Sequence, residues 1–274
     1  MSEQPLPGYE WTEKEWRNFC QWAQAKLGLS LGEYKEAQLQ RRVHSFVRRH
    51  GLDDLATLRA FLGENPSGLS LFLHEVMIHV TSFFRDPKLW SAFASAISRH
   101  TPTGEIRAWD AGCGAGQETY SLAMLLALRF PHHLFRILAT DIDPISLALA
   151  QAGAFPKKAV EMLPSRLITQ FFVAKDDLWE ITETLRRYVQ FRQHDLLHQL
   201  PPSDTFDVVL CRNVLIYFSK NAQDRIVEHL SAAMAPDGLL FVGASEQLFS
   251  PERFALVPSG PFLYRKVSVP VYTH

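Results

Sequence analysis

Residues 109–116 read Trp-Asp-Ala-Gly-Cys-Gly-Ala-Gly, and this glycine-rich stretch decides the predicted fold. It follows a strand-like run at 106–110 and opens an apolar stretch at 120–128, which predicts a tight turn from a strand into a helix. Glycines let a backbone turn sharply and approach a ligand closely. Their spacing is G-x-G-x-G, whereas dinucleotide-binding loops are typically G-x-G-x-x-G. The stretch therefore predicts a turn that either binds a ligand or is purely structural.

Strand-like and helical segments alternate on the carboxyl side of Gly104. Short β-rich runs, each followed by an amphipathic stretch, lie at 106–110, 135–141, 206–211 and 239–244. This alternation predicts an α/β fold with a mostly parallel sheet and helices on both faces. Runs at 254–257 and 262–267 around a Pro-Ser-Gly-Pro turn predict an antiparallel hairpin at the sheet edge.

The remaining segments set the predicted domain boundaries. Before about residue 100, apolar residues recur at helical spacing with almost no strand-like alternation. We therefore predict a helical N-terminal domain and linker helix over residues 1–100, and the sheet domain over 101–274. A stretch without glycine that contains two strand-like runs predicts a small inserted β-subdomain at about 170–193.

Composition excludes several classes of protein. Lys and Arg total 28 against 29 Asp and Glu, so the net charge of -1 gives no global reason to bind nucleic acid. The longest apolar runs fall well short of the roughly 20 residues that span a bilayer. The 3 cysteines lack metal-ligand spacing, and no secretory signal precedes them. We expect a cytoplasmic protein with no metal site and no direct membrane insertion.

Carboxylates surround the glycine-rich stretch. Asp110 ends the first strand and Glu118 begins the following helix, so the pair would repel a pyrophosphate and suits a ligand with an ammonium and a sulfonium. Asp141 ends the next strand, where a carboxylate can accept hydrogen bonds from ribose hydroxyls. Asp143 is predicted to cap the helix that begins near Pro144.

One further carboxylate completes the predicted binding site. Asp195, before the fourth strand, could bind an adenine amino group or lie in a plain loop. Together these positions describe a nucleoside cofactor with a positively charged end that carries no phosphate. S-adenosylmethionine is the obvious candidate.

Three further motifs occur in order: Thr-Ser-Phe-Phe-Arg-Asp at 81–86, Ala-Thr-Asp-Ile-Asp at 139–143 and Cys-Arg-Asn-Val-Leu-Ile-Tyr-Phe at 211–218. With them the chain resembles the CheR family of chemotaxis-receptor methyltransferases over nearly its whole length. Pro-Asp-Gly at 236–238 and Gly-Ala-Ser-Glu at 243–246 continue the likeness. The resemblance implies a Rossmann-like methyltransferase sheet with a small β-subdomain, preceded by a helical domain.

The resemblance also implies site residues. Together with Gly112 of the glycine-rich stretch, the predicted cofactor-binding residues are His79, Thr81, Arg85, Glu118, Asp141, Asp195, Leu196, Arg212 and Asn213. Arg85 and Tyr217 match the pair nearest the methyl group and are the predicted catalytic residues. Arg212 could instead be a structural ion-pair partner, and Tyr217 a half-buried aromatic.

The implied reaction transfers the methyl group of S-adenosylmethionine to glutamate side chains of methyl-accepting chemotaxis-type receptors, giving methyl esters and S-adenosylhomocysteine. A glutamate carboxylate is already ionised at neutral pH, so no general base is needed. Positioning and desolvation would then supply the catalysis. Arg85 is expected to bind the cofactor carboxylate, and Tyr217 to orient the substrate.

A basic stripe on a predicted helix is the expected receptor-binding surface. Its members, which repeat at a seven-residue interval, are Arg41, Arg42, Arg48 and Arg49. A solvated helix face is the alternative. The inserted unit is short and glycine-free, whereas relatives that dock on a receptor's C-terminal pentapeptide carry a glycine-bearing loop there. We therefore expect a monomer that binds receptor helices without pentapeptide tethering, and no nucleic acid.

Other functions remain open on the sequence. A non-catalytic scaffold that keeps the cofactor pocket is one alternative, and a methyltransferase for another substrate is a second. Base-methylating enzymes typically carry an Asn-Pro-Pro-Tyr-like tetrapeptide after the fourth strand, where this chain has Arg-Asn-Val-Leu at 212–215. A nicotinamide-dependent dehydrogenase is disfavoured by the glycine spacing and the nearby carboxylates.

Overall fold

A computed structural model describes residues 11–77, 81–99, 104–203 and 205–267. The described residues form two compact units. A helical unit contains residues 11–77 and 217–223, and a sheet unit contains 81–216 and 224–267. In the described residues, no helix is both long enough and apolar enough to cross a membrane.

The helical unit is built from four helices: α1 (Glu13–Leu27), α2 (Glu36–Arg49), α3 (Leu55–Glu64) and α4 (Pro66–Val76). Thr12 begins α1 through a capping box with Glu15, and Gly28 ends it in a left-handed conformation at φ 69°. The apolar faces of these helices bury a core that includes Phe19, Phe46 and Phe72. The helical character predicted for this part of the chain is confirmed.

A short returning segment, residues 217–223, completes the helical unit. The Lys35 N–H donates to Tyr217 O at 2.8 Å, and the Ser219 N–H donates to Glu33 O at 2.8 Å. The rings of Tyr34 and Phe218 lie 4.5 Å apart between centroids. Backbone bonds and ring contact therefore hold Tyr217 and its neighbours in the helical unit.

The sheet unit contains the remaining elements. Its helices are α5 (Pro87–Arg99), α6 (Gln117–Arg129), α7 (Pro144–Ala152), α8 (Lys157–Val160), α9 (Ser165–Phe171), α10 (Glu183–Arg186) and α11 (Lys220–Ala233), of which the last begins within the 217–223 segment. Its strands are β1 (Ile106–Ala111), β2 (Phe135–Asp141), β3 (Ala154–Pro156), β4 (Phe172–Lys175), β5 (Leu178–Ile181), β6 (Val189–Gln193), β7 (Phe206–Cys211), β8 (Met234–Val242), β9 (Leu256–Gly260) and β10 (Leu263–Lys266).

The main sheet has seven strands in the order β6-β2-β1-β7-β8-β10-β9. The first five are parallel to one another, whereas β10 runs antiparallel to both β8 and β9. The predicted α/β class, the mostly parallel sheet and the antiparallel edge hairpin are confirmed. Parallel strands end at one edge, so this topology collects the carboxyl ends of β1, β2 and β7 side by side.

The small β unit differs from its predicted extent of about 170–193. Its three strands have the order β3-β5-β4 and cover residues 154–181, and β6 instead pairs in parallel with β2 of the main sheet. The reason lies in packing, because Val189 and Phe191 of β6 lie against the core of the main sheet. Phe191 lies 5.9 Å from Tyr120 between ring centroids.

The predicted boundary near residue 100 also needs adjustment. It assigned α5 to the N-terminal domain as a linker helix, but the helix packs on the main sheet. The rings of Trp90 and Phe93 lie 5.6 and 4.8 Å from the ring of Phe241 in β8. Burial of these aromatic rings makes α5 part of the sheet unit.

Candidate cofactor site at the strand ends

The glycine-rich turn between β1 and α6 requires glycine. Gly112, Gly114 and Gly116 have φ values of 93°, 53° and 91°, a region that residues with a Cβ rarely adopt. A Cβ on Gly112 would lie 2.4 Å from Cγ2 of Val214, so the loop after β7 packs directly on the turn. The Gly112 and Cys113 N–H groups both donate to Thr140 O, at 2.8 and 2.9 Å. The turn is therefore a fixed backbone cradle beside the end of β2.

Asp141, at the end of β2, holds this turn in place. Its Oδ2 accepts a hydrogen bond from the Gly114 N–H at 2.8 Å, and its Oδ1 accepts one from the Asp143 N–H at 3.0 Å. The residue is buried. Asp143 caps α7 by accepting from the Ile145 and Ser146 N–H groups, as the sequence predicted. The carboxylate predicted to bind a ribose thus lies against the glycine-rich turn.

Arg212 joins three segments of the site through hydrogen bonds. Its guanidinium donates to Glu118 Oε2 at 2.7 Å, to Arg85 O at 3.0 Å and to Asp86 Oδ2 at 3.2 Å. It also lies over the ring of Phe241, 4.5 Å from the centroid. The structural ion pair considered as the alternative for Arg212 is therefore present. Its role in cofactor binding stays a prediction.

Burial and like charge dominate the electrostatics of the site. Burial raises the pKa of Asp110 well above its ordinary value, and the nearby Glu118 raises it further. Burial also raises the pKa of Glu118, to about 7, against the opposing effect of Arg212. The site therefore has more carboxyl groups than its internal cations neutralise, and this arrangement favours a positively charged ligand.

Unsatisfied acceptors support the same conclusion. Three buried oxygens at the turn and its neighbours have no donor within the described residues: Asp110 Oδ1, Gln117 Oε1 and Asn213 Oδ1. Buried acceptors normally have partners, so such a group calls for a ligand that brings donors. An ammonium supplies three donors and a positive charge, whereas a pyrophosphate supplies neither. The residues present therefore fit the charged end of S-adenosylmethionine.

Residues 194–197, which follow β6, lie beside the end of β2. The His194 N–H donates to Asp141 O at 3.0 Å, which joins this loop to the predicted ribose site. Asp195 Oδ1 accepts from the Leu197 N–H at 2.8 Å. From α11, the His229 ring donates through Nδ1 to Leu196 O at 3.0 Å. Hydrogen bonds to the end of β2 and to α11 therefore hold the predicted adenine-binding loop in place.

The segment before α5 brings further predicted residues to the same edge. The methyl carbon of Thr81 lies 3.8 Å from where a Cβ on Gly114 would stand. The Phe84 N–H donates to Ser121 Oγ of α6 at 2.9 Å. Phe83 packs edge-on against Phe155 in the core. His79 lies outside the described residues.

We call Gly112, Gly114, Glu118, Asp141, Arg212 and Asn213 the strand-end site. The site lies in the sheet unit, as does Arg85, whereas Tyr217 belongs to the helical unit. The assignment of Arg85 and Tyr217 as a catalytic pair stays a prediction.

The basic stripe on α2 needs a correction. The Arg42 guanidinium donates to Glu75 O and Met77 O, each at 2.8 Å, and also to Val76 O. It therefore satisfies carbonyls at the end of α4, which have no partner inside their own helix, and is not free on the surface. Arg49 pairs with the Glu75 carboxylate. Only Arg41 and Arg48 of the four are exposed without such a bond among the described residues, and we call this pair the α2 face.

Sequence reasoning gave no role to Glu246, which the structure places beside the strand-end site. Its side chain is buried, and its carboxylate accepts hydrogen bonds from the backbone of the loop after β7. The Gly-Ala-Ser-Glu motif at 243–246 was a usable signal, because it follows a strand end of the same sheet. Within the described residues, no cluster of three or more His, Cys, Asp or Glu side chains could hold a metal ion.

Comparison with known proteins identifies the family. Residues 79–262 match the CheR methyltransferase SAM-binding domain, and residues 14–77 match the CheR methyltransferase all-alpha domain. The chain belongs to the CheR methyltransferase family. The resemblance drawn from the sequence motifs and the Rossmann-like S-adenosylmethionine-dependent methyltransferase fold that it implied are confirmed.

Individual relatives agree with this membership. A chemotaxis protein methyltransferase of Listeria monocytogenes is 32% identical over 93% of this chain and 98% of that protein. A chemotaxis protein methyltransferase of Salmonella typhimurium is 30% identical over 86% of this chain and 84% of that protein. The solved structure of a SAM-bound amino pentose methyltransferase from Micromonospora echinaspora aligns with 61% of this chain and 52% of its own chain, at 23% identity and a TM-score of 0.36.

Proposed function

We propose that this CheR-family methyltransferase transfers the methyl group of S-adenosylmethionine to glutamate side-chain carboxylates of methyl-accepting chemoreceptors, giving methyl esters and S-adenosylhomocysteine. The observation that carries the proposal is the acid-rich, acceptor-rich turn at the strand ends, which suits a cationic nucleoside. The names of the relatives, which are chemotaxis protein methyltransferases, support the receptor as substrate.

In this proposal different residues of the chain bind different parts of the cofactor. Asp141 binds the ribose hydroxyls, and the loop of Asp195 and Leu196 binds the adenine. Glu118 and Asn213 receive the ammonium, while Arg85 binds the cofactor carboxylate. Thr81 is assigned to the same pocket by its place in the motif at 81–86, and His79 by its position two residues before that motif. The bound cofactor supplies a methyl group on a positively charged sulfur, which is reactive toward an oxygen nucleophile.

The substrate carboxylate needs positioning rather than activation. A glutamate side chain has a pKa near 4.3 and is ionised at neutral pH, so it attacks without losing a proton. Tyr217 donates one hydrogen bond that orients a carboxylate oxygen without neutralising it. The site then gains its rate by alignment and by removal of water from the nucleophile.

The proposed partner is the glutamate-rich cytoplasmic helix of a chemoreceptor, bound by a monomer in the cytoplasm without pentapeptide tethering. The α2 face supplies two exposed guanidinium groups, which suit an acidic partner. The contribution of Arg42 and Arg49 is indirect, because their guanidinium groups bind residues of α4.

Methyl transfer from labelled cofactor tests this function. The purified chain is incubated with tritiated S-adenosylmethionine and the signalling domain of a methyl-accepting chemoreceptor from the same genome. We expect label on the receptor that mild base releases as methanol, which marks an ester, and no label once the acceptor glutamates are replaced by alanine. Binding of S-adenosylhomocysteine without label on any receptor would favour a non-catalytic scaffold, and base-stable label would indicate another acceptor group.

Replacing Tyr217 with phenylalanine tests its assigned role. We expect Tyr217→Phe to lower kcat by about tenfold, equivalent to one lost hydrogen bond, while the Kd of S-adenosylhomocysteine stays unchanged. Tyr188→Phe, at a half-buried position just before β6 where the hydroxyl accepts a hydrogen bond from Arg187, is the matched control. Equal kcat values for Tyr217→Phe and wild type would remove Tyr217 from the proposed mechanism.

A further inference from the structure

Glu246 is a buried carboxylate whose hydrogen-bond donors are backbone N–H groups. It lies just after β8, and its side chain is only 5% exposed. Oε2 accepts from the Asn213 N–H at 2.6 Å and from the Gly243 N–H at 2.8 Å, while Oε1 accepts from the Ile216 N–H at 3.2 Å. One side chain therefore fixes both ends of the loop that follows β7.

The loop that Glu246 holds has a conformation that it would not readily adopt alone. Asn213 has a φ of 59°, in the left-handed region that few residues other than glycine favour. Such a conformation persists when surrounding contacts impose it. The short bond from the Asn213 N–H to the carboxylate is such a contact, and it holds the Asn213 backbone in this conformation.

Gly243 makes the close approach of this carboxylate possible. A Cβ at this position would lie 2.6 Å from Glu246 Oε2 and 2.9 Å from Asn213 N. Any larger residue would therefore push the carboxylate away from the Asn213 N–H. Gly243 and Glu246 of the motif at 243–246 therefore act together, because the glycine leaves the space that the carboxylate needs to reach the Asn213 N–H.

The fixed loop contacts the cofactor turn directly. Val214 lies so close to Gly112 that a Cβ there would be 2.4 Å from Val214 Cγ2. On the other side of Asn213, Arg212 pairs with Glu118 at 2.7 Å. Asn213 itself carries a buried Oδ1 that has no donor among the residues that the structure describes. A shift of this loop would therefore move Asn213, release Gly112 and strain the Arg212 ion pair together.

We propose that Glu246 is a positioning residue that holds Asn213 and the glycine-rich turn in the geometry that binds the cofactor. This inference rests on the proposed binding of S-adenosylmethionine and does not depend on the receptor substrate. Burial raises the pKa of Glu246, and its backbone donors oppose that rise. A residue kept only to fill space would avoid this desolvation cost by being apolar. The carboxylate is suited to this place because each of its oxygens can accept more than one bond.

The variant Glu246→Gln tests the inference with little change of shape. The amide oxygen can still accept from Asn213 and Gly243, but the amide nitrogen then faces the Ile216 N–H as a second donor. We expect the Kd of S-adenosylhomocysteine to rise about tenfold by calorimetry. The KM for S-adenosylmethionine should rise with it, while kcat at saturating cofactor stays within about twofold of wild type. Glu252→Gln, at an exposed position of the same region, is the matched control.

A second variant keeps Glu246 and displaces its carboxylate. Gly243→Ala should raise the same Kd, and the double variant Gly243→Ala/Glu246→Gln should bind no more weakly than the worse single variant, because both act through one contact. Wild-type affinity in a folded Glu246→Gln variant would overturn the inference. Additive losses in the double variant, or a fall in kcat without a change in Kd or KM, would overturn it as well. The Kd of S-adenosylhomocysteine is measured without a receptor, so a missing receptor activity would not be mistaken for failure of this proposal.

Discussion

The strand-end site and the α2 face are both rich in charge, but they differ in solvent exposure. In the strand-end site, Arg212, Glu118 and Asp141 are buried. Arg212 pairs with Glu118, and Asp141 accepts a hydrogen bond from a backbone N–H group. On the α2 face, Arg41 and Arg48 are exposed. Buried charges interact strongly, so the loss of one partner has a large effect on the free energy of the others, whereas exposed charges are screened by water and salt. Substitutions in the first region should therefore change folding and cofactor binding, and those in the second should change only binding of a charged partner.

The largest expected effect is on stability, from Arg212→Met. The substitution removes an ion pair with Glu118 and a hydrogen bond to Arg85 O, and it leaves the Glu118 carboxyl buried without its cation. Breaking a buried pair in this way costs about 3–5 kcal/mol. Chemical denaturation of the variant and the wild type at pH 8, where Glu118 of the wild type is ionised, measures the difference in the free energy of unfolding.

A surface ion pair gives the matched control for Arg212. Arg253 pairs with Asp224 at 3.2 Å and has a side chain that is 60% exposed. Exposed pairs contribute at most about 1 kcal/mol, so Arg253→Met should change stability little. The double variant Arg212→Met/Glu118→Gln should recover part of the loss. Equal stability losses for Arg212→Met and Arg253→Met would show that the two regions do not differ as proposed.

The next effect is on cofactor affinity, from Asp141→Ala. The carboxylate binds the Gly114 and Asp143 N–H groups, and in the proposed complex it also binds the ribose. Loss of a charged hydrogen-bond partner costs about 1–3 kcal/mol, so titration with S-adenosylhomocysteine should show a correspondingly weaker Kd. Asp177→Ala, at a fully exposed turn, should bind as the wild type does. Equal affinities for the two variants would exclude Asp141 from the cofactor site.

Much of the strand-end site could be predicted from the sequence because its requirements are local. The positive φ of Gly112 and the capping by Asp143 depend on residues within a few positions, and short motifs report them directly. Alternation of strand and helix likewise predicted the parallel sheet. It did not separate β6 from the small β unit, because a short strand has the same pattern in either sheet.

Contacts between residues that are distant in sequence could not be predicted in this way. Arg42 lies 33 residues before Glu75, whose carbonyl it binds, and helical periodicity reports only the side of α2 on which it lies. The same holds for Glu246, whose donors at Asn213 and Ile216 are 33 and 30 residues away. The sequence indicated the charges, and the tertiary fold decided which of them are used internally.

A smaller effect follows from the pKa of Glu118. This pKa is raised to about 7, so the carboxyl is largely protonated at pH 6 and ionised at pH 8. Only the ionised form attracts the cofactor ammonium, which stays charged over this range. The affinity for S-adenosylhomocysteine should therefore be roughly tenfold weaker at pH 6 than at pH 8. Calorimetry at the two pH values measures it, and Glu118→Gln should bind weakly with little dependence on pH. An affinity that falls as the pH rises would contradict the assignment.

The smallest expected effect is at the α2 face. The double variant Arg41→Gln/Arg48→Gln should raise the KM for the receptor signalling domain several-fold at low salt, since each exposed charge contributes less than about 1 kcal/mol. Affinity for S-adenosylhomocysteine and the free energy of unfolding should not change. Raising the ionic strength should weaken receptor binding of the wild type more than that of the variant, because salt screens exposed charges.

The control for the α2 face must remove the same charge elsewhere on the helical unit. The double variant Lys14→Gln/Arg17→Gln does so on α1, where both residues are exposed and the Arg17 side chain is 63% exposed and pairs with Glu13. If both double variants raise the KM equally, only net charge matters and the α2 face is not a binding surface. If only the Arg41 and Arg48 substitutions do, the position of the charges matters. Arg42→Gln should instead lower the free energy of unfolding, because the Arg42 guanidinium binds the last carbonyls of α4. Substitutions of the adjacent residues Arg41 and Arg42 would then have different effects, the first on receptor binding and the second on stability.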